Sequence, residues 1–466
     1  MKNKIMKIKL IIIAAVILST FGSCKKYLDA NPIKGKVVPK TLADYEEFLN
    51  DILLSQSGYV YPEFMADDIL SATVTSPTAD RISRSYTWQK DILFATDDDS
   101  EWNAPYSYVY TCNLVLDHLE TATEGNDQTR NRLKAEALTQ RAYYLFTLAN
   151  LYGKDYVPAT SATDLSVPIM LQPDLETKAK RATVQELYAQ VTSDLETAIS
   201  MADFPDAGRN YIHPGKLASK ALLARVCLFK GDYANALKYA NDVLATKNTL
   251  FDWNTLSFSN PLKPTASTIV NNPLPQNNVE NIYYKSASNS GLLTRFMASS
   301  DLLTVLDQKD LRYVFNFTRL TSAGLPSPSV NPDYLGTTPN FSIGVPEMML
   351  IKAECLARSG DKDGAVSVLN ALRVKRFKPV DYVALSAASA DDALAKVLSE
   401  RRRELLFRGI RWFDLKRLNR DERFKKTLSR VVGGQTYTLE PNSERYLLQI
   451  APKIISINPL IIQNPR

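Results

Sequence analysis

Apolar residues recur at helical spacing along most of this chain, and the intervals where they do not are long and polar. The first periodic stretch predicts a helix over 41–54. The next lies over 101–119, where Trp102, Tyr106, Tyr110, Asn113 and Leu116 follow one another along the helix. A third helix is predicted over 129–152. It carries Leu133, Ala137, Tyr144, Leu148 and Leu151 as one stripe and Leu138, Ala142, Leu145 and Ala149 as another. A helix apolar on both sides must be covered on both, so it belongs inside a stack of helices. Thr183 and Glu186 form a capping box, and the helix it opens carries Val184, Leu187, Val191, Leu195 and Ala198 at helical spacing.

Within this pattern lies a repeat. LASKALLARVCLFKGDYANALKYANDVL can be laid on EMMLIKAECLARSGDKDGAVSVLNALR, with Ala224 on Ala353, Gly231 on Gly360, Asp232 on Asp361 and Ala236 on Ala365. Small residues where helices cross, then a Gly-Asp turn, then Ala, is the tetratricopeptide pattern, in which antiparallel helix pairs bury their faces against neighbouring pairs. The expected fold is mostly α: a tetratricopeptide-like solenoid of helical pairs with long irregular insertions. The repeats cover about 101–246 and 346–420, and the variable loops about 55–100 and 247–345, inside one body spanning 41–466. Loops of that length in a compact domain are functional or disordered. These retain Phe251, Trp253, Phe258, Tyr283 and Tyr284, which favours ordered loops gathered on one face. Asp361, Asp363 and Gly364 resemble the start of a calcium loop, but the later ligands are missing and the repeat accounts for them. Asp97, Asp98 and Asp99 read as a helix start, since no spaced ligand set follows.

The densest stretch is ERRRELLFRGIRWFDLKRL, residues 400–418: a helix, a break at Gly409 and a second short helix. Glu400, Glu404 and Arg408 stand one turn apart, and Arg411, Asp414 and Arg417 alternate in sign every three residues. Trp412, Leu415 and Leu418 repeat on another face. Glu400 and Glu404 invite an acid/base reading, yet arginines this close lower a carboxyl pKa and disqualify it as a general acid. Glu400, Glu404, Arg411, Trp412, Asp414 and Arg417 therefore read as a half-buried structural keystone.

Composition narrows the function. The net charge is +6, but Lys2, Lys4, Lys7 and Lys9 stand in the first 23 residues without an acid, and the remainder is close to neutral. That argues against nucleic-acid binding. The four lysines precede an apolar run from Leu10 to Phe21, too short to span a bilayer but suited to a secretory leader, and Gly22-Ser23-Cys24 follows. This order predicts a lipoprotein signal over 1–23, lipid on Cys24 and an extended tether over 24–40. Cys112, Cys227 and Cys355 lie far apart in apolar helical patterns and read as buried thiols. No Cys/His cluster for a metal is present. There is no GxSxG, HExxH or phosphate-cradling loop, and only His118 and His213 are available as histidines. No catalytic residue, metal or cofactor is assigned, and the chain is not expected to be an enzyme.

Several stretches resemble the SusD/RagB family of lipid-anchored nutrient-binding proteins of Bacteroidetes-type outer membranes. They are CKKYLDANP after the lipobox, the Trp, Tyr and Asn of the 101–119 helix, EALTQRAYYLFTLANLYG (136–153), the 400–418 stretch and the closing YLLQIAPKIISINPLIIQNPR. The resemblance implies an outward-facing outer-membrane lipoprotein that captures a nutrient, commonly a glycan, and covers a SusC-like TonB-dependent transporter. Two alternatives stand beside it: a glycan-degrading surface enzyme and a scaffold that binds only protein. Sugar rings need aromatic platforms edged by polar groups, and Tyr59, Tyr61, Trp88 and Trp253, all in the irregular segments, are the candidate ligand-binding residues.

Overall fold

The computed structural model describes residues 38–71, 73–263, 267–287, 295–317 and 339–466, with the backbone alone at 319–320 and 326–327. Cys24, the leader over 1–23, the tether up to residue 37 and most of the 318–338 loop lie outside the described residues.

Among the described residues ten α-helices of eight residues or more build the body: α1 Leu42–Leu49, α2 Ser100–His118, α3 Asp127–Tyr152, α4 Val184–Ser200, α5 Lys216–Lys230, α6 Tyr233–Thr246, α7 Val345–Arg358, α8 Lys362–Arg373, α9 Ala390–Glu404 and α10 Arg411–Leu418. From α2 to α6 each packs on the next. The stack then crosses from α6 directly to α7, and α7 packs on both α8 and α9. The insertion between α6 and α7 is thus looped out, while its flanking repeats close against each other as one solenoid. The mostly helical, tetratricopeptide-like architecture is the one the periodicity predicts.

Local chemistry explains the element ends. Asn126 caps α3, and the Thr183–Glu186 box caps α4 from both directions. Leu133, Ala137, Leu145, Leu148 and Leu151 of α3 are all buried, because α2 covers one side of it and α4 the other. In the repeat, Gly231 and Gly360 end their helices at φ +82° and +96°. A Cβ on either would meet nothing within 4 Å, so it is the left-handed backbone that favours glycine there. Asp232 and Asp361 follow, each accepting from the N–H three residues on (Asn235 and Gly364). Ala224, Ala353, Ala236 and Ala365 are fully buried where the helices cross.

Boundaries differ where tertiary contacts intervene. The first helix stops at Leu49 and continues as a 3-10 turn, Ile52–Ser55. The 55–100 segment is not an open loop: it folds into short helices, Tyr61–Met65 and Arg81–Tyr86, that pack against each other and the core. Near the C-terminus a hairpin, β1 Leu428–Val432 and β2 Gln435–Leu439, points Leu428, Arg430 and Val432 inward.

Candidate functional site

The keystone stretch forms a buried ion network. Glu400 and Glu404 both reach Nη1 of Arg312 at 2.7 Å. Glu400 also pairs with Arg373 (3.0 Å) and Arg403 (2.8 Å), and Glu404 with Arg376 (2.7 Å). Arg312 further clasps Asp310 at 2.6 Å, and Arg376 reaches Glu280 at 2.7 Å. Burial would push the Glu400 and Glu404 carboxyls up, but the surrounding guanidiniums outweigh it and hold both below the usual carboxylate range. Arg408 adds its field to Glu404. Carboxyls held that low stay ionised near neutrality and are not suited to donate a proton as a general acid.

The second half of the stretch departs from the alternating ladder expected for it. Asp414 sits between Arg417 and Arg401, each at 2.7 Å, and Arg417 grips Glu354 with two bonds of 2.7 and 2.8 Å. Arg411 turns away instead and clasps Asp67 at 2.7 and 2.9 Å. The reason is positional: Arg411 opens α10 and faces the 61–70 segment, where Asp67 is desolvated and needs a cation. Trp412 is buried, stacks on Tyr446 at 4.6 Å and donates to its carbonyl at 3.1 Å.

Of the four aromatic platforms expected in the loops, the structure withdraws three from solvent. Trp88 is fully buried, donates Nε1–H to the Met65 carbonyl at 2.9 Å and lies 4.5 Å beneath the Arg430 guanidinium. Trp253 is buried against Leu256, Leu311 and Phe315 with Arg376 above it at 5.3 Å. Tyr59 donates to the Gly409 carbonyl at 3.1 Å and packs between Phe341 and Phe413. Each ring anchors an otherwise irregular segment to the keystone or hairpin, which is why its faces are unavailable.

Tyr61 is half-buried, and with the edge of Tyr59 it lines a cleft of about 230 Å³. Arg81 stacks on the Tyr61 ring at 4.0 Å. Ser57, Ser100, Ser286 and Glu101 line the same space. Glu101 Oε1 accepts from the N–H groups of Val60 (2.7 Å) and Tyr61 (2.6 Å), while Oε2 is buried without a partner. Burial pushes the Glu101 carboxyl up to about 7, against the opposing pull of Arg81 and the two N–H groups. Behind the cleft, Lys285 is fully buried. Its ammonium donates to Tyr144 Oη at 2.9 Å and to the Leu54 carbonyl, and lies 4.6 Å from each of the Tyr143, Tyr144 and Tyr283 rings. It fixes the 285–287 segment, and hence Ser286 and Ala287, as the cleft wall.

Sequence reasoning passed over Glu101, Arg81 and Lys285. Lys285 did leave a signal, a single charge inside NIYYKSA, as did Glu63 inside YVYPEFMA. A lone charge in an apolar run is either a site or a buried pair. Asp99 caps α2 and pairs with Arg81 at 2.9 Å and with Tyr152 Oη at 2.6 Å. Cys112, Cys227 and Cys355 are buried free thiols, each pushed up to about 12 by burial. Among the described residues no His/Cys/Asp/Glu group could hold a metal ion, and no helix is long and apolar enough to cross a membrane.

The body is a stack of helical repeats carrying a small polar and aromatic cleft. Two family models match the chain: one described as starch-binding associating with outer membrane, over residues 26–228, and one described as the SusD family, over 331–466. The chain belongs to the SusD/RagB family. A curated relative, SusD-like protein P38 of Formosa agariphila, is 37% identical over 81 residues, which is 16% of this chain and only 16% of the relative's length. A SusD superfamily structure from Bacteroides thetaiotaomicron superposes with a TM-score of 0.72 at 24% identity, covering 91% of this chain and 100% of that one. Surface glycan-binding protein A of Bacteroides uniformis superposes with a TM-score of 0.71 at 16% identity, covering 91% and 99%. At these identities the structural likeness speaks to the fold.

Proposed function

We propose that this chain is a surface lipoprotein, anchored through Cys24, that binds a glycan and passes it to a SusC-like TonB-dependent transporter of the outer membrane. Family membership supports the transporter and the membrane. The cleft at Tyr61 carries the ligand reading, because it joins an aromatic ring, one face of which Arg81 covers, to several hydroxyls and one carboxylate. Those are the groups that meet the C–H faces and hydroxyl edges of a sugar. Among the described residues Glu101 is the sole carboxylate lining it, whereas glycoside hydrolysis commonly needs two carboxyl groups flanking the bond. The cleft therefore favours binding over turnover.

A glycan array followed by titration calorimetry tests this. Tyr61→Ala should weaken binding by about 1–2 kcal/mol, the usual range for an anchor ring. Glu101→Gln keeps the acceptor for Val60 and Tyr61 and should reduce affinity without lowering the melting temperature. Two folded variants that bind like the parent would place the site elsewhere. The anchor is tested separately: Cys24→Ala should abolish labelling by radioactive palmitate and release the protein from the outer membrane. Palmitate entering the variant would refute the lipobox.

A further inference from the structure

The turn between α4 and α5 doubles back so closely that the N–H groups of Lys216 and Leu217 donate to the carbonyls of Pro205 (2.8 Å) and Asp206 (3.1 Å). Gly208 and Gly215 occupy the crossing, where a Cβ on either would strike backbone atoms of the opposite limb. A turn with no spare room at its crossing is a rigid mount. It carries Tyr211 at its tip, 40% exposed and braced from behind by Tyr284 at 5.3 Å. Only one other aromatic ring among the described residues is as open, Phe94, and the Arg84 guanidinium covers it at 4.5 Å.

Tyr211 borders a cleft of about 220 Å³ whose other wall is the 275–282 segment. Asn210, Gln276 and Asn281 bring side-chain amides to it, and Asp206 brings a carboxylate on the exposed rim. The amide oxygen of Asn210 is occupied by the Ile212 N–H (3.0 Å) and the His213 ring (2.7 Å), so its NH₂ group remains available. Lys247, just past the end of α6, also lines the cleft. Its ammonium is about half buried, and no carboxylate, Asp206 included, comes within ion-pair distance among the described residues. Burial pulls its pKa down with no anion opposing. A half-desolvated cation beside an open ring and the amides of Asn210 and Gln276 is a set of partners without a ligand.

We propose that this cleft is a second carbohydrate subsite, selective for an acidic sugar. A uronic acid ring would lie on Tyr211 with its carboxylate on Lys247 and its hydroxyls on the amides and Asp206. The subsite rests on the glycan reading above and extends it to a separate face and a stated ligand class.

Titration calorimetry of the full mature chain with tetragalacturonate and with its methyl ester provides the test. The parent should bind the acid form about tenfold more tightly than the ester, as expected for one desolvated charge pair. Lys247→Met should remove that preference, Lys247→Arg should retain most of it, and Tyr211→Ala should weaken both forms by about tenfold. Equal binding of acid and ester by the parent, or a preference that survives in Lys247→Met, overturns the subsite. A preference lost in Tyr61→Ala but kept in Lys247→Met would place the acidic sugar in the first cleft. In that case, as with a parent that binds neutral glycans alone, this inference fails while the glycan reading stands. A parent that binds neither oligomer nor any neutral glycan refutes both.

Discussion

Arg312→Met should destabilise this protein more than any substitution in the candidate clefts, by about 3–5 kcal/mol, the cost of removing one partner from a buried ion group. Arg312 is 1% exposed, and its guanidinium alone touches Asp310, Glu400 and Glu404. The methionine fills much of the volume but leaves Glu400 and Glu404, one turn apart on α9, facing each other across the space it vacates. Arg373, Arg403 and Arg376 remain and limit the loss. Against a stability of about 5–15 kcal/mol for a folded domain, that loss should appear as a large drop in melting temperature and in soluble yield. Asp414→Ala should act in the same direction, because it strips a partner from Arg401 and Arg417. Equilibrium denaturation of both variants decides the matter. A melting curve for Arg312→Met that overlays the parent would show that the network is dispensable, and the keystone would need another explanation.

The second large effect is on pH dependence and centres on Glu63. This side chain is 2% exposed and accepts from the Gly409 N–H at 2.7 Å. Burial, and then the Asp68 carboxylate, push it up from 4.5 to about 8. Between those two values the folded protein holds a proton that the unfolded chain releases. The contribution of Glu63 to folding stability is therefore full below about pH 4.5 and falls as pH rises toward 8. At 1.36 kcal/mol per unit, the loss between pH 5 and 7.5 is about 3 kcal/mol. Glu101, raised to about 7, contributes with the same sign, and His213, lowered by burial, with the opposite sign. Both are present in either protein. Glu63→Gln keeps the acceptor for Gly409 and cannot ionise, so it should flatten the profile and exceed the parent in stability at pH 7.5. Urea titrations at pH 5, 6, 7 and 7.5 on both proteins test this. Parallel profiles would mean that Glu63 ionises as an ordinary carboxylate.

Elements whose signal is carried by neighbouring residues were legible in the sequence. The two stripes of α3 required a helix covered on both sides. The paired Gly-Asp turns required two equivalent helical hairpins, because a glycine favoured at positive φ and an aspartate N-cap act within five residues of one another. The capping box at Thr183 and the burial of the three thiols belong to the same class. The 400–418 stretch announced an ion-paired element through its composition, and the abundance of arginine foretold carboxyls held below their usual range at Glu400 and Glu404.

Which charge meets which was decided only by the tertiary structure. Glu404 finds Arg312 across 92 residues, and Arg411 leaves the Asp414 ladder for Asp67 across 344. Coulombic partners are chosen by desolvation and approach in the folded state, and helical spacing constrains only partners on the same helix. The fate of the loop aromatics was likewise invisible. Trp88 and Trp253 were drawn inward by Arg430 and Arg376, which stand 342 and 123 residues away in the chain. Tyr211, within a short connection between two helices, was left on the surface because Gly208 and Gly215 allow the turn to cross itself beneath it. Periodicity along one chain thus determined the helices and their stacking. Exposure, ion pairing and the clefts arose from segments distant in sequence, since burial is a property of the assembled body and of no single stretch.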